Sequence, residues 1–474
     1  MQISNLIVRY SSYLIGLIFT IVNIFFVTYY LDLNEFAVWG ISLSLIYVFS
    51  QLNQLTFVQL IEKYFATYTQ KVVLEKLYQM TKLILYISPI WYFILILLDN
   101  ISFFNKYEIE NIFILFALVT ISSVLESLIE IFSKFLLVLD KSKKLDIREL
   151  LILKLIRTIS IFLLLYFGYS IFHLLALSIF LRSIFLITLF KLIEKNIIVF
   201  LNKILTSKIK IDLFDKFRYT ILAFFTKSLQ VSFLNIAFLI YTDIKGNNTA
   251  AFALGVVIIN NLLPISASLA TLLLPSISLM ANQNKVENNF LISSTYITTF
   301  ISSFLITGIL ILIEFKGLYS VYFEKYDNSV YKLITFSVFA ATINPIFYPM
   351  FLYLRFLGKE FAQLLYIIFS FLISILLVLY TDINLIFCYV IFEVVTLILT
   401  TLTYKKIKTK SKIFLISVCY FITSTFLILE FYGYDLDHRP LILSLPFLYM
   451  LDYYLYKLKR VEINSVFNLN MDKK

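Results

Sequence analysis

Residues 217–243 read "FRYTILAFFTKSLQVSFLNIAFLIYTD", and Lys227 is the only charge between Tyr219 and Tyr241. At the helical rise of about 1.5 Å per residue, this apolar run is long enough to cross a bilayer core of roughly 30 Å. In lipid the backbone polar groups find partners only within the segment, as they do in a helix. The sequence therefore predicts a membrane-spanning helix over 219–241.

Similar apolar runs recur along the whole chain of 474 residues, 61% of which are hydrophobic. Soluble domains contain about 45–50% apolar residues, so this composition predicts an all-α integral membrane protein. The fourteen predicted spans are 10–31, 37–61, 83–98, 111–133, 150–167, 171–190, 219–241, 250–274, 290–313, 333–354, 361–380, 383–404, 413–430 and 441–458.

The two cysteines, Cys388 and Cys419, both lie inside these runs. They therefore offer no disulfide framework and no zinc spacing. No metal and no cofactor are expected.

A weak internal repeat divides the chain. Residues 8–32, "VRYSSYLIGLIFTIVNIFFVTYYLD", match 217–243 in an initial Arg-Tyr pair, an apolar stretch and a final aromatic–Asp turn. The repeat predicts two six-helix lobes of the same orientation, a parallel pseudo-repeat. The predicted parts are an N-terminal lobe at 1–190, a basic cytosolic linker at 191–218, a C-terminal lobe at 219–404, and two extra helices with a cytosolic tail at 405–474.

The charge distribution predicts the orientation in the membrane. Lys and Arg total 40 against 29 acids, a net charge of +11. If both termini are cytosolic, 32 of the 40 basic residues fall on the cytosolic side and 6 on the opposite side. This asymmetry is the positive-inside pattern of a multi-pass protein. Since the basic residues are scattered between apolar spans, a nucleic-acid partner is not expected.

Two stretches resemble a known family of membrane transporters. Residues 29–66, "YYLDLNEFAVWGISLSLIYVFSQLNQLTFVQLIEKYFA", contain a Leu-x-x-x-Glu-Phe turn from Leu31 and a long helix that ends in a Lys-Tyr pair. Residues 250–278, "AAFALGVVIINNLLPISASLATLLLPSIS", end in Pro-x-x-Ser. They resemble the second and eighth helices of Wzx-type oligosaccharide flippases of the multidrug/oligosaccharidyl-lipid/polysaccharide exporter superfamily. The resemblance covers roughly residues 5–405.

The resemblance implies two lobes around a central cavity, a MATE-like fold that works by alternating access. It implies a transporter and not an enzyme, located in the bacterial cytoplasmic (inner) membrane. The implied substrate is a polyprenyl-diphosphate-linked oligosaccharide for O-antigen, lipopolysaccharide or capsule biosynthesis. A monomer is expected, working in the lipid bilayer beside glycan polymerase machinery.

Three basic residues are predicted to lie deep in the membrane. Arg157 and Arg182 flank a short turn at similar distances, which places both about 18–20 Å below it. Lys227 lies roughly 24 Å from the outer end of its helix. Because guanidinium and ammonium groups bind phosphate oxygens, these cations are predicted to line the cavity and bind the diphosphate. The alternative is structural pairing with Glu126, which lies at a similar depth.

Uncharged polar residues are candidates for the sugar-binding lining of the cavity: Gln51, Gln54, Gln230, Asn235, Asn260 and Asn261. Two acids, Glu126 and Glu393, are candidates for coupling to H⁺ or Na⁺. Hydrogen bonding between helices is the alternative for these buried groups.

Three other functions stay open. A peptidoglycan lipid precursor flippase would share the fold and the diphosphate chemistry. A drug/cation antiporter of the same superfamily would favour an acid in span one, which has Asn23 and no acid before Asp32. A membrane glycosyl polymerase or ligase would be an enzyme of a different class, but the longest outward connection, 314–331, is short for its catalytic loop.

Overall fold

A computed structural model of the chain is helical over nearly all of its described residues, with short turns between the helices. The described residues are 3–54, 57–58, 61, 70–100, 111–138, 142–194, 197–207, 217–245, 249–261, 333–334, 337, 340, 359–380 and 385–403. They divide between two compact units, residues 2–253 and residues 254–474.

The first unit contains nine α-helices and the start of a tenth in its described part. They are α1 (Ile3–Tyr30), α2 (Leu33–Asn53), α3 (Gln70–Asn100), α4 (Ile112–Val138), α5 (Ser142–Glu149), α6 (Arg157–Tyr166), α7 (Ile171–Ile193), α8 (Ile197–Thr206) and α9 (Phe217–Lys245). A π-helical segment, Leu150–Ile156, joins α5 to α6. Helix α10 (Thr249–Asn261) crosses the boundary between the units.

Helix α2 begins at a capping box. The Asp32 carboxylate accepts the amide N–H of Glu35 at 2.7 Å, and the Glu35 carboxylate accepts the amide N–H of Asp32 at 3.4 Å. This exchange satisfies two amides that the first turn would leave without partners. Most of α2 is buried, whereas much of α3 is exposed. Helix α2 is therefore an interior helix of the unit, and α3 is peripheral.

Helix α4 is the centre of the packing, because α2, α3 and α7 all pack against it. The apolar core at one end of this bundle is rich in phenylalanine. The rings of Phe132, Phe190 and Phe200 are mutually in contact, with centroids 4.5–5.7 Å apart. Aromatic pairs at these separations add to the stabilisation from burying their area. This core holds α4, α7 and α8 together.

The predicted hairpin at "FGYS" is present. Helix α6 ends at Tyr166, α7 begins at Ile171, and the two helices pack together. Gly168 in the turn has a φ of 73°. Glycine adopts this left-handed conformation without the steric penalty that a Cβ brings.

The predicted basic linker contains a helix that its charge pattern did not indicate. Phe200 and Ile204 of α8 are buried in the core. Lys82 of α3 donates to the backbone carbonyls of Leu205 at 2.7 Å and Ser207 at 2.9 Å, at the C-terminal end of α8. The start of the linker is therefore packed against the bundle.

An ion pair also secures α8. Lys203 bonds the Glu194 carboxylate at 2.7 Å, at the end of α7. This hydrogen bond, followed by the charge of Lys203 and a hydrogen bond from Tyr78, lowers the pKa of the Glu194 carboxyl. Both side chains are partly exposed, so the pair contributes little stability.

The second unit is described in fewer places. Helices α11 (Glu360–Tyr380) and α12 (Leu385–Thr403) pack against each other as the hairpin predicted at "YTDINL". Gly255 of α10 closely approaches Ser337 and Ile386. These contacts join α10 to α12 and to Ser337 within the second unit.

Five described helices are long and apolar enough to span a membrane: Leu33–Asn53, Leu74–Asp99, Ile112–Leu136, Ile171–Ile193 and Phe361–Tyr380. These agree with predicted spans two, three, four, six and eleven. The predicted spans at 290–313, 413–430 and 441–458 lie outside the described residues, so the count of fourteen and the lobe boundaries stay predictions. Helix α9 packs against α2 within the first unit, although it begins the predicted C-terminal lobe.

Gly40 is a point of close helix contact. A Cβ at this position would collide with the Cβ of Ala253 and lie 3.3 Å from its Cα. We expect Gly40→Ala to lower the free energy of unfolding by about 1–3 kcal/mol, because overpacking outweighs the gain of about 1 kcal/mol in helix propensity. Thermal denaturation in detergent measures the change. Ala253→Gly in the same chain should restore stability, and an unchanged melting temperature in Gly40→Ala alone would contradict this packing.

Candidate functional site

The first unit holds an ion pair near the middle of two long apolar helices. Arg182 Nε lies 2.8 Å from Glu126 Oε2, and the two side chains are 11% and 32% exposed. Arg182 is midway along α7, and Glu126 is near the centre of α4. Arg182 also donates to the hydroxyl of Ser178, one turn earlier, at 2.8 Å. The guanidinium is therefore positioned by its own helix as well as by Glu126.

Arg157 lies close to this pair without joining it. It is the first residue of α6, directly after the π-helical segment. Among the described residues, none accepts a hydrogen bond from its buried Nε. Arg182, Tyr47 and Glu126 are near enough to interact electrostatically with its guanidinium. Two guanidiniums thus repel each other beside one carboxylate.

Lys154 belongs to the same region through the π-helical segment. Its aliphatic stem passes over Gly16 of α1, at a distance where a Cβ on Gly16 would be 3.7 Å from it. Glu149, Arg157, Glu126 and Arg182 all act on the charge of this lysine. The structure therefore places the charge of Lys154 near those of Arg157, Arg182 and Glu126. π-Helical turns occur often at functional sites, where they reorient side chains.

Tyr47 connects the ion pair to α2. Its phenol is within electrostatic reach of Glu126, Arg182, Arg157 and Glu130. We name the group formed by Tyr47, Glu126, Lys154, Arg157 and Arg182 the arginine cluster. Its residues belong to α2, α4, α6, α7 and the π-helical segment before α6.

A second polar group lies one helical turn along α4. Glu130 Oε2 accepts the side-chain amides of Gln54 at 2.6 Å and Gln51 at 3.4 Å. Ser127 donates to the carbonyl of Ser50 at 3.1 Å, which ties the same two helices together. Gln51 and Gln54, predicted to line a cavity for sugars, are buried and bonded within the unit.

The charges of the arginine cluster are unevenly compensated. Arg182 is paired with Glu126, and the acid that acts most strongly on Lys154 is Glu149. Arg157 forms no ion pair with any carboxylate in the described part of the chain. A partly buried arginine without an ion pair is unfavourable in free energy at membrane depth. An anion that reached Arg157 would accept a charge-assisted hydrogen bond from it.

The remaining predicted site residues are on α9, α10 and α12. Lys227 and Gln230 are on α9, and their side chains lie outside the described part of the structure. Asn235, on the same helix, is fully buried. In the second unit, the Asn261 side chain donates to the carbonyl of Val257 at 2.8 Å, and Asn260 is buried.

Glu393, the second candidate coupling acid, is fully buried on α12. Its Oε1 accepts the hydroxyl of Tyr389, one turn earlier, at 2.9 Å. No three His, Cys, Asp or Glu residues of the described ranges are grouped as a metal site would need.

The sequence missed Tyr47 and Ser178 as members of the site. A signal for Tyr47 was available, since it precedes Gln51 by four residues and Gln54 by seven, which places all three on one face of a helix. No comparable signal pointed to Ser178, because serines are common in every span. The π-helical segment also left no recognisable pattern.

No protein-family model matches this chain, and no curated protein sequence matches it. Solved structures do. The lipid II flippase MurJ in an inward closed conformation aligns with 97% of this chain and 100% of its own, with a TM-score of 0.58 and 14% identity. An outward-facing multidrug resistance MATE family transporter aligns with 86% of this chain and 96% of its own, with a TM-score of 0.54 and 11% identity.

An inward-facing MATE transporter aligns with 86% of this chain and 99% of its own, with a TM-score of 0.52 and 11% identity. Both MATE transporters belong to the multidrug/oligosaccharidyl-lipid/polysaccharide exporter superfamily. The fold that the resemblance implies is therefore confirmed, while membership of the superfamily and the Wzx type stay predictions. The chain has the same fold as these solved flippase and transporter structures.

Proposed function

We propose that the protein flips a polyprenyl-diphosphate-linked oligosaccharide across the bacterial cytoplasmic membrane for surface polysaccharide biosynthesis. The observation that carries the proposal is that two arginines, Arg157 and Arg182, lie near each other and near the carboxylate of Glu126. Two like charges at membrane depth are unfavourable alone, and a dianionic diphosphate would neutralise both. The fold, shared with known flippases and exporters, is compatible with this role.

The exposure of Glu126 supports an accessible site. Its side chain is 32% exposed at the middle of α4. An ionised carboxylate at this depth faces a water-filled space in preference to lipid. The anion site would therefore open toward a cavity that a lipid-linked substrate can enter.

Glutamine side-chain amides one helical turn away could donate hydrogen bonds to the glycan. Gln51 and Gln54 share the single oxygen of Glu130 as acceptor, and sugar hydroxyls could compete for these donors. Lys227 and Gln230 stay part of the proposal as the cavity residues contributed by α9.

Transport by the purified full chain in liposomes tests the proposal. A fluorescent prenyl-diphosphate oligosaccharide placed in the inner leaflet should become accessible to an external quencher far faster than in protein-free liposomes. The control substrate carries the same prenyl chain and glycan without the diphosphate, and should not move faster than in those liposomes. Equal rates for both substrates would contradict recognition of the diphosphate.

A second candidate is a flippase for the peptidoglycan lipid precursor. It is favoured by the alignment with MurJ over nearly the whole length of both chains. Lipid II offered in the same assay distinguishes the two. Faster movement of lipid II than of the other oligosaccharide would favour the second candidate.

A further inference from the structure

The ion pair in the arginine cluster raises a question about the resting site. Glu126 occupies the position beside Arg182 that an incoming phosphate would need, at 2.8 Å from its Nε. A substrate cannot use the full donor set of Arg182 while this carboxylate stays in place. Either the pair is permanent, or Glu126 leaves when the substrate binds.

Several features indicate that Glu126 can leave while Arg182 stays. Arg182 is 11% exposed and also bonds Ser178, so its own helix keeps it in position. Glu126 is 32% exposed, so its carboxylate has access to the space outside the packed helices. The less confined partner of the pair is therefore the acid.

The charges around Glu126 determine which state it prefers. Arg182 faces it from α7, Arg157 and Lys154 from the segment before and at the start of α6, and Tyr47 from α2. Glu130 is the other acid on α4. With no substrate, the Glu126 carboxylate is the counter-ion of these cations. A bound diphosphate would place two negative charges beside it, and like-charge repulsion would favour its departure from Arg182.

We propose that Glu126 is a built-in counter-ion of the anion site, which a substrate diphosphate displaces from Arg182. This inference rests on the proposed function. It assigns to Glu126 the role of a competitor for the site, so that the resting cluster keeps a counter-ion until the substrate arrives.

Binding of farnesyl-diphospho-N-acetylglucosamine to the purified full chain in nanodiscs tests the inference. Both phosphates of this probe are esterified, so its charge is constant between pH 5 and 7.5. We expect Glu126→Gln to bind the probe about tenfold more tightly than wild type at pH 7.5, because the competing carboxylate is absent.

The matched control is Glu194→Gln, which removes the same charge from a 2.7 Å ion pair outside the cluster. It should bind the probe like wild type. Glu126→Asp keeps the competing charge, so it should bind less tightly than Glu126→Gln. Thermal denaturation of each variant shows whether it is folded.

The outcomes separate the inference from the proposed function. If wild type binds and Glu126→Gln binds no better, the counter-ion role is wrong and diphosphate recognition stands. If wild type and Glu126→Gln both fail to bind, the proposed function is wrong, and the inference with it. Binding by both, about tenfold tighter in Glu126→Gln, supports both.

Discussion

Arg157→Ala is expected to abolish glycan export while the protein stays folded and at its normal level. Arg157 contributes no ion pair to the described structure and is repelled by Arg182, so its loss removes an unfavourable charge from the resting protein. With substrate, the variant loses a charge-assisted contact of about 1.5–3 kcal/mol, or roughly 10- to 100-fold in affinity. Surface glycan in cells that lack their own flippase gene measures the effect.

The control is Arg148→Ala, which removes an arginine of the same unit from α5. Arg148 donates to the carbonyl of Thr188 at 2.9 Å, a local contact outside the cluster. Export should persist in this variant. Arg157→Lys keeps the charge but not the paired donors, so it should retain partial export. Wild-type surface glycan in Arg157→Ala would show that this guanidinium does not carry the diphosphate.

Glu126→Ala, unlike Arg157→Ala, is expected to lower the free energy of unfolding. It leaves Arg182, Arg157 and Lys154 facing one another without their shared carboxylate. Removing one member of a buried pair costs about 3–5 kcal/mol, and the 32% exposure of Glu126 reduces the expectation to about 2 kcal/mol. Heating followed by size-exclusion chromatography in detergent measures the change.

Two comparisons make this prediction specific. Glu194→Ala breaks an exposed pair and should change stability by less than about 1 kcal/mol. A high concentration of farnesyl-diphospho-N-acetylglucosamine should restore part of the lost stability of Glu126→Ala, since a bound anion replaces the missing counter-ion. A melting temperature equal to that of wild type would contradict the central place of Glu126 among these cations.

The sequence was sufficient for the features that follow from local hydrophobicity. A bilayer-length apolar run must form a helix, so spans such as 171–190 were predicted within a few residues of α7, Ile171–Ile193. The four-residue connection "FGYS" required an antiparallel hairpin, and α6 and α7 form one. The sequence did not predict the linker helix α8. Phe200 and Ile204 are the buried residues in its described part, and they lie within a basic segment.

The sequence alone determined that this is a helical membrane protein, and it singled out Glu126, Arg157 and Arg182 as charges at a common depth. Only the tertiary structure decided that Glu126 bonds Arg182 and leaves Arg157 aside. The physical reason is that depth follows from counting residues along one helix, whereas pairing depends on the rotation of neighbouring helices about their axes. That rotation is set by the packing of α4 against α2 and α7, and by the π-helical turn before Arg157.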